Sequence, residues 1–197
     1  MNTPSHFLMT AALRQALPRQ PMATSAWLLG AVAPDIPLYL LSLGGAIYYR
    51  AFLEWTPAAT WQQLFGTLYF HHPFWIAAHN VLHSPLLLLL ALVSLWPVRS
   101  PQGTVWCWLW WFCGACLFHS IVDVLTHVDD GPLILFPFEW TLRFRSPVSY
   151  WDSRHYGAEF VIFEVTLDII LLGYLCLPRL WRWLYPSPQG ARMVEEE

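Results

Sequence analysis

An apolar run over residues 104–125 ends in ionisable side chains, and this combination restricts the fold more than any other part of the chain. At its end, His119, Asp123 and His127 are spaced four residues apart. Four residues are about one helical turn, so neighbouring members of this trio share a helix face. Imidazole and carboxylate groups on one face form half of a metal site. The alternative is a trio hydrogen-bonded inside a helix bundle, although ionisable groups within a membrane are costly unless they are functional.

The composition indicates an integral membrane protein. Of 197 residues, 56% are hydrophobic and 12% are charged, whereas a soluble domain carries about 25% charged residues. The expected fold class is all-α: an integral membrane helical bundle with about four membrane-spanning helices and a short N-terminal helix. The net charge of −3 and the absence of a basic run exclude an obvious nucleic-acid-binding surface.

Residues 1–185 are expected to form one membrane-embedded domain, followed by a disordered tail over residues 186–197. A short helix over residues 5–17 precedes apolar stretches at 23–49, 82–98, 104–125 and 155–174. Pro34 and Pro37 flank Asp35 inside the first of these stretches and predict a kink there. Such a break is tolerated where a helix lines a polar cavity. The long connection over residues 132–154 is of a kind that is often functional.

Ionisable residues on five helical segments fall at a similar predicted depth. At 1.5 Å per residue, His6 and Asp35 lie about 18 and 21 Å from the turn between their helices. His83, His119 and Glu159 lie about 24, 27 and 30 Å from the turns that bound theirs. These values approach the far side of a hydrocarbon layer about 30 Å thick. We therefore expect one shared cluster rather than scattered polar residues.

The predicted cluster combines imidazoles and carboxylates without thiolates. Such ligands suit Zn²⁺, or Mn²⁺ and Fe²⁺ if carboxylates dominate. Their number predicts two or three ions, with Asp35 or Asp123 as a bridging and catalytic carboxylate. Clustered divalent ions activate a bound water and clamp a phosphate ester, and a site at the membrane boundary selects lipid headgroups. The candidate metal ligands are His6, Asp35, His79, His83, His119, Asp123, His127, His155 and Glu159.

Two other functions are compatible with the same residues. A metal transporter would show polar residues at several depths, and Glu164 and Asp168 continue inward from Glu159 on one helix. Interhelical hydrogen bonding explains the same two residues equally well. An inactive interaction scaffold is the third possibility, and the complete ligand set argues against it.

The arginines give a prediction of sidedness. Six lie at the end of the bundle away from the cluster and four at the cluster end, which places the cluster on the extracytoplasmic side. The six are Arg14, Arg19, Arg99, Arg179, Arg182 and Arg192, and the four are Arg50, Arg143, Arg145 and Arg154.

Four short motifs occur in a fixed order along the chain: His6, Pro34-Asp35, HxxxHS at residues 79–84 and HSxxD at 119–123. Over roughly residues 5–131 they resemble the membrane-bound metal-dependent hydrolases, a family that includes the LexA-regulated inner-membrane protein YdjM. The resemblance implies a bacterial inner-membrane location and hydrolysis. The usual family form is nearer HRGxTHS, and the departure at residues 79–83 favours His83 over His79 as a ligand.

The wider pattern resembles the zinc-dependent phospholipase C and P1-nuclease group, whose members are all-helical and hold three zinc ions. The resemblance implies phosphate-ester hydrolysis. That group also uses the amine of an N-terminal Trp as a ligand. Met1 lies five residues before His6, so we do not expect this feature here. The group's ligand positions fall on His6, Asp35, His83, His119 with Asp123, His127, and His155 with Glu159.

Overall fold

The computed structural model describes residues 1–99 and 103–184, and this part of the chain is helical, without a β-strand. The predicted all-α class is confirmed. One isolated antiparallel bridge joins Leu133 to Arg143. The predicted disordered tail, residues 186–197, lies outside the described residues, as does Arg192.

Short helices precede two long ones. In chain order they are α1 (Thr3–Ala16), α2 (Thr24–Gly30), α3 (Ile36–Ile47), α4 (Pro57–Trp61), α5 (Tyr69–His71), α6 (Pro73–Asn80), α7 (Pro85–Leu95), α8 (Val105–Thr126) and α9 (Gly157–Leu184). Two π-helical segments, Tyr48–Phe52 and Gln62–Leu68, flank α4, and 3₁₀ turns occur at Trp96–Val98 and Ser153–His155.

Within the described residues, two helical segments are long and apolar enough to cross a membrane: Val105–Thr126 and Gly157–Pro178. The pair α6 and α7, bent by 48°, makes a third if it is counted as one broken span. The structure therefore supports two or three spans, where we expected about four. The predicted span over residues 23–49 is divided into α2 and α3, because Pro34 lacks an N–H group and Pro37 lies in the first turn of α3.

Small residues bring α2 and α8 close together. A Cβ atom added at Gly30 would lie 2.6 Å from the Ala115 Cβ atom and 2.6 Å from the Phe112 carbonyl oxygen. Such close approach of backbones is typical of membrane helix pairs. The indole of Trp27 on α2 donates to the Thr10 carbonyl on α1, with a distance of 3.0 Å. The helix α9 packs on α1 at the edge of the bundle.

The connection that follows α8 folds back onto the break between α6 and α7. The Asn80 side-chain oxygen accepts a hydrogen bond from the Leu133 backbone N–H at 2.8 Å. The Ser84 hydroxyl donates to the Phe136 carbonyl at 2.9 Å, and the Leu86 N–H donates to the Ile134 carbonyl at 3.2 Å. The Leu86 N–H in the first turn of α7 and the backbone groups of Leu133 and Phe136 are thus satisfied within the protein, as a membrane environment requires.

Candidate metal centre

Four side chains converge where α8 meets the break between α6 and α7 and the turn between α2 and α3. They are Asp35, His83, His119 and Asp123, and we call them the Asp/His cluster. One potential ligand atom from each lies within 4.8 Å of the others. His83, His119 and Asp123 are buried, and Asp35 is half-buried. The structure therefore brings together residues from three separate parts of the chain.

Local structure aims each member of the cluster inward. His119 and Asp123 are one turn apart on α8, as their spacing predicts. Asp35 immediately precedes α3. His83 lies in the break before Ser84, whose side chain caps the start of α7 by accepting from the Leu87 N–H. The Ser120 hydroxyl donates to the His83 carbonyl and so ties the break to α8.

Asp123 is the centre of the cluster. Its Oδ2 atom lies 3.1 Å from Nε2 of His83 and 3.1 Å from Nε2 of His119. Its Oδ1 atom lies 2.8 Å from Nε2 of His6. Asp35 faces the same imidazoles, with its Oδ1 atom 3.5 Å from His119 Nε2 and 3.8 Å from His83 Nε2.

The tautomer of His119 fits a cation between these groups. Nδ1 of His119 lies 2.8 Å from the Ala31 carbonyl oxygen, which can only accept, so Nδ1 carries the hydrogen. In the neutral ring, Nε2 then presents a lone pair to two carboxylates. This Nε2 atom is buried, and although Asp123 Oδ2 is 3.1 Å away, no described residue makes a hydrogen bond of good geometry with it. A carbonyl that fixes the outer nitrogen of an imidazole is the usual support of a metal-binding histidine.

His83 has the same arrangement as His119: one ring nitrogen faces a backbone carbonyl and the other faces Asp123. Its Nδ1 atom is 3.3 Å from the His79 carbonyl oxygen, which leaves Nε2 directed at Asp123. The lone pairs of two neutral imidazoles repel the two carboxylates that they face unless a proton or a cation lies between them. The four residues can therefore hold a metal ion.

Three further predicted ligands lie beside the cluster. His6 is fully buried, and its ring stacks on His119 with a centroid separation of 3.7 Å. His127 leaves α8 at its C-terminal end, and its Nδ1 atom donates to the Asp123 carbonyl at 2.8 Å. His79 is buried, with Nε2 3.1 Å from the Tyr69 hydroxyl and its ring 4.4 Å from that of His83.

The structure does not bring His155 and Glu159 into the cluster. His155 ends a 3₁₀ turn and is half-buried, and Glu159 is exposed in the first turn of α9. The depth estimate measured distance along the helix axis and ignored direction around it. The buried carboxylate of α9 is Glu164, five residues later and therefore about 140° further round the helix.

The N-terminal amine was not expected at the site, yet it lies there. The Met1 nitrogen donates to Asp123 Oδ1 and to the Thr126 hydroxyl, each at 2.9 Å. Asn2 explains this position: its backbone N–H and its side-chain amide donate to the two oxygens of Glu164, each at 2.7 Å. No motif spacing could have indicated the amine, because only the docking of α1 on α9 carries it to Asp123.

A cavity of about 570 Å³ opens from the cluster. Asp35, Asp123, His79 and His127 contribute to its wall. The rest of its lining includes two contrasting sets of residues: polar ones (Asp129, Asp130, Ser149, Asp152 and Arg154) and aromatic ones (Trp61, Phe65, Tyr69, Phe70 and Trp151).

The charged residues of the cavity wall are partly paired. The Arg154 guanidinium bonds the Asp152 carboxylate at 2.7 Å and lowers the pKa of that carboxyl group to about 2. The Arg145 side chain lies 2.8 Å from Asp129. Asp130 accepts a hydrogen bond from the Trp151 indole at 2.7 Å. The cavity wall therefore combines residues of the ionisable cluster with paired charged and polar side chains.

Comparison with known proteins identifies the family. A match to the model of the family described as "YdjM inner membrane protein" covers residues 1–186, beyond the motifs at residues 5–131 that carried the resemblance. No curated protein and no solved structure matches the chain. The likeness to the phospholipase C and P1-nuclease group therefore stays a hypothesis from the sequence. The chain belongs to the YdjM inner membrane protein family, and its apolar helices agree with a membrane location.

Proposed function

We propose that this protein is a membrane-embedded metal-dependent hydrolase that cleaves a phosphate ester of a phospholipid or a related lipid. One observation carries the proposal: the buried Asp/His cluster opens into a cavity with both polar and aromatic walls. A site built only to hold a structural ion would not need a cavity of this size beside it.

The proposed metal ligands are the four residues of the cluster. His6 and His127 are proposed as ligands of a second or third ion beside Asp123. Zn²⁺ is the proposed metal, since imidazoles and carboxylates are its usual nitrogen and oxygen ligands. A divalent ion bound there supplies an activated water and offsets the negative charge of a phosphate ester.

Asp35 and Asp123 are the proposed catalytic carboxylates, with different tasks. Asp123 is buried and orients the imidazoles of His6, His83 and His119. Asp35 has a side chain that is 17% exposed and lines the cavity, so it can accept a proton from an attacking water. The hydroxyl of Thr3 donates to Asp35 Oδ2 and holds that carboxylate in place.

Metal transport is the competing function. The sequence feature in its favour is that Glu164 and Asp168 continue inward from Glu159 on one helix. Both residues are engaged with α1: Glu164 accepts two hydrogen bonds from Asn2, and Asp168 accepts one from the Ser5 hydroxyl at 2.9 Å. These contacts support an anchoring role for both carboxylates and favour hydrolysis over transport. The arginine distribution supports placing the site on the extracytoplasmic side.

The deciding experiment measures bound metal and phospholipid turnover on the same protein. Wild type and Asp123→Ala are purified in detergent, analysed by mass spectrometry for metal, and assayed for release of a phosphorylated headgroup or of phosphate. We expect the variant to lose both metal and turnover. Glu164→Gln is the matched control, since it changes a buried carboxylate outside the cluster, and we expect it to keep both. Turnover that persists in metal-free Asp123→Ala would rule out the proposal.

A further inference from the structure

A second depression lies beside the cavity, between α1 and the segment that leads into α3. It is an apolar groove of about 520 Å³. Thr3 and Tyr39 line both the groove and the cavity. The groove is lined by Thr3, Pro4, Phe7, Leu8, Val32 and Tyr39.

The two depressions share Thr3 and Tyr39, which lie next to Asp35 of the Asp/His cluster. The Thr3 hydroxyl contacts the Tyr39 hydroxyl at 2.5 Å and donates to Asp35 Oδ2. One pair of side chains thus separates the apolar groove from a carboxylate of the cluster. A ligand that occupied both spaces would place its polar part at Asp35 and its apolar part along α1.

The groove adjoins the apolar outer surface of the bundle. Tyr39 is 57% exposed and Phe7 is 39% exposed. Beyond Tyr39, Leu40, Leu43 and Ile47 continue an exposed apolar face of α3, the kind of face that contacts hydrocarbon in a membrane protein. Asp129, Asp130 and Asp152, by contrast, line the cavity and not the groove.

We propose that the groove binds an acyl chain of the lipid substrate while the phosphate ester of the same molecule lies at the Asp/His cluster. This inference rests on the proposed function and adds to it a site for the chain. The occupant follows from two observations: the groove shares Thr3 and Tyr39 with the cavity wall, and it is apolar and adjoins the exposed apolar face of α3. Thr3 and Tyr39 then lie at the junction between chain and headgroup.

The proposal predicts a dependence on chain length. Burial of one methylene group strengthens binding by about fourfold at most, so KM should fall as the acyl chain lengthens until the groove is full. Turnover at saturation should change little, because the chain binds away from Asp35 and Asp123.

The test combines kinetics with photo-crosslinking on the full chain loaded with Zn²⁺. Leu8→Trp fills the groove, and Leu43→Phe changes an exposed apolar residue of α3 outside it. We expect Leu8→Trp to raise KM for a long-chain phospholipid roughly tenfold and for a short-chain, water-soluble analogue less than twofold. Leu43→Phe should leave both values unchanged. If Leu8→Trp raised KM equally for both substrates, the proposal that the groove binds an acyl chain would be overturned.

Photo-crosslinking of wild type keeps the proposal testable if Leu8→Trp does not fold. The probe is a phosphatidylethanolamine with a diazirine at mid-chain, in phosphatidylethanolamine–phosphatidylglycerol vesicles. Crosslinks within residues 4–8 and 32–39 support the proposal. Crosslinks spread evenly over the outer surface, or between two copies of the chain at the groove, overturn it.

The two proposals fail in different ways. Crosslinking at the groove without any turnover would refute the hydrolase and support the acyl-chain site. Turnover of long and short substrates with the same KM, without crosslinking at the groove, would refute the acyl-chain site and keep the hydrolase.

Discussion

Two helices of this protein, α8 and α9, are each long and apolar enough to cross a membrane, and each carries two ionisable residues one turn apart. On α8 they are His119 and Asp123, and on α9 they are Glu164 and Asp168. The spacing is the same, but the surroundings differ. The α8 pair meets further imidazoles, a carboxylate and the Met1 amine, whereas the α9 pair meets N–H and O–H groups of Asn2 and Ser5.

The difference lies in the chemistry of the partners. Carboxylates that face hydrogen donors, as at Asn2 and Ser5, form ordinary buried hydrogen bonds. Carboxylates that face imidazole lone pairs, as at His83 and His119, require a shared proton or a cation. Spacing along an apolar helix therefore identifies buried ionisable groups, and the donor or acceptor nature of the facing atoms separates a candidate metal site from an anchor.

The largest expected effect comes from Asp123→Ala. Loss of this central carboxylate should lower metal affinity and turnover by at least about 100-fold, because loss of even a supporting residue behind a metal ligand costs 10- to 100-fold. Competition with a chelating dye measures the affinity. Metal binding that survives in this variant would show that α8 carries a structural polar pair, as α9 does.

Metal removal should have the next largest effect. A ligand present at 100 times its Kd stabilises the folded state by about 2.7 kcal/mol, so a chelator should lower the Tm of wild type by roughly 5–10 °C. Glu164→Ala should show the same drop, and Asp123→Ala should show none. An equal chelator effect on Asp123→Ala would place the metal elsewhere. Scanning calorimetry in detergent provides the measurement.

Gly30→Ala tests the packing behind the cluster. The new methyl group would press α2 away from α8 at Ala115 and disturb the Ala31 carbonyl that holds His119. We expect a loss of about 1–3 kcal/mol in the free energy of unfolding, together with weaker metal binding. An added Cβ at Gly44 would meet no described atom within 4 Å outside its own helix backbone, so Gly44→Ala is the matched control. Equal effects of both substitutions would argue against this packing.

Glu164→Ala should destabilise the protein without removing the metal. The two hydrogen bonds to Asn2 are lost, which costs about 1–2 kcal/mol, while metal content stays within about twofold of wild type. Glu164→Gln keeps one of the two acceptor oxygens, so its free energy of unfolding should fall between those of wild type and Glu164→Ala. If Glu164→Ala folds but holds no metal, the α9 pair belongs to the metal site, and α8 and α9 do not differ in the way described above.

The smallest effect is expected for Asp168→Asn. A single hydrogen bond from Ser5 is at stake, so the free energy of unfolding should change by less than about 1 kcal/mol. Zn²⁺ uptake into vesicles reconstituted with the protein should be unaffected by the substitution. Uptake that is present in wild type and lost in Asp168→Asn would instead favour transport.

Local pattern was enough to predict the helical class and the core of the site. His119 and Asp123 share a face of α8 because of their spacing, and Asp35 lies at the predicted proline break. His83 rather than His79 belongs to the Asp/His cluster, as the departure of residues 79–83 from the usual family form favoured. Each of these features depends on a few neighbouring residues or on a motif.

The features that the sequence did not predict depend on how helices pack. The expected count of about four spans is not confirmed, because Pro34 divides residues 23–49 into two short helices, which a hydropathy average over that stretch conceals. Glu159 was assigned to the cluster because depth along an axis says nothing of rotation about it. The Met1 amine was missed because its position follows from the contact of Asn2 with Glu164, far apart in sequence.

The contacts of Asn80 and Ser84 with the connection over residues 133–136 have a practical consequence. That connection is tied to the break that carries His83, so a residue inserted into it would shift the histidine out of place. An epitope tag for finding which side of the membrane the site faces should therefore avoid this connection. Gly103 is a better place: it is exposed, its φ of +83° marks a turn, and no described residue other than its chain neighbours has a heavy atom within 4 Å of an added Cβ.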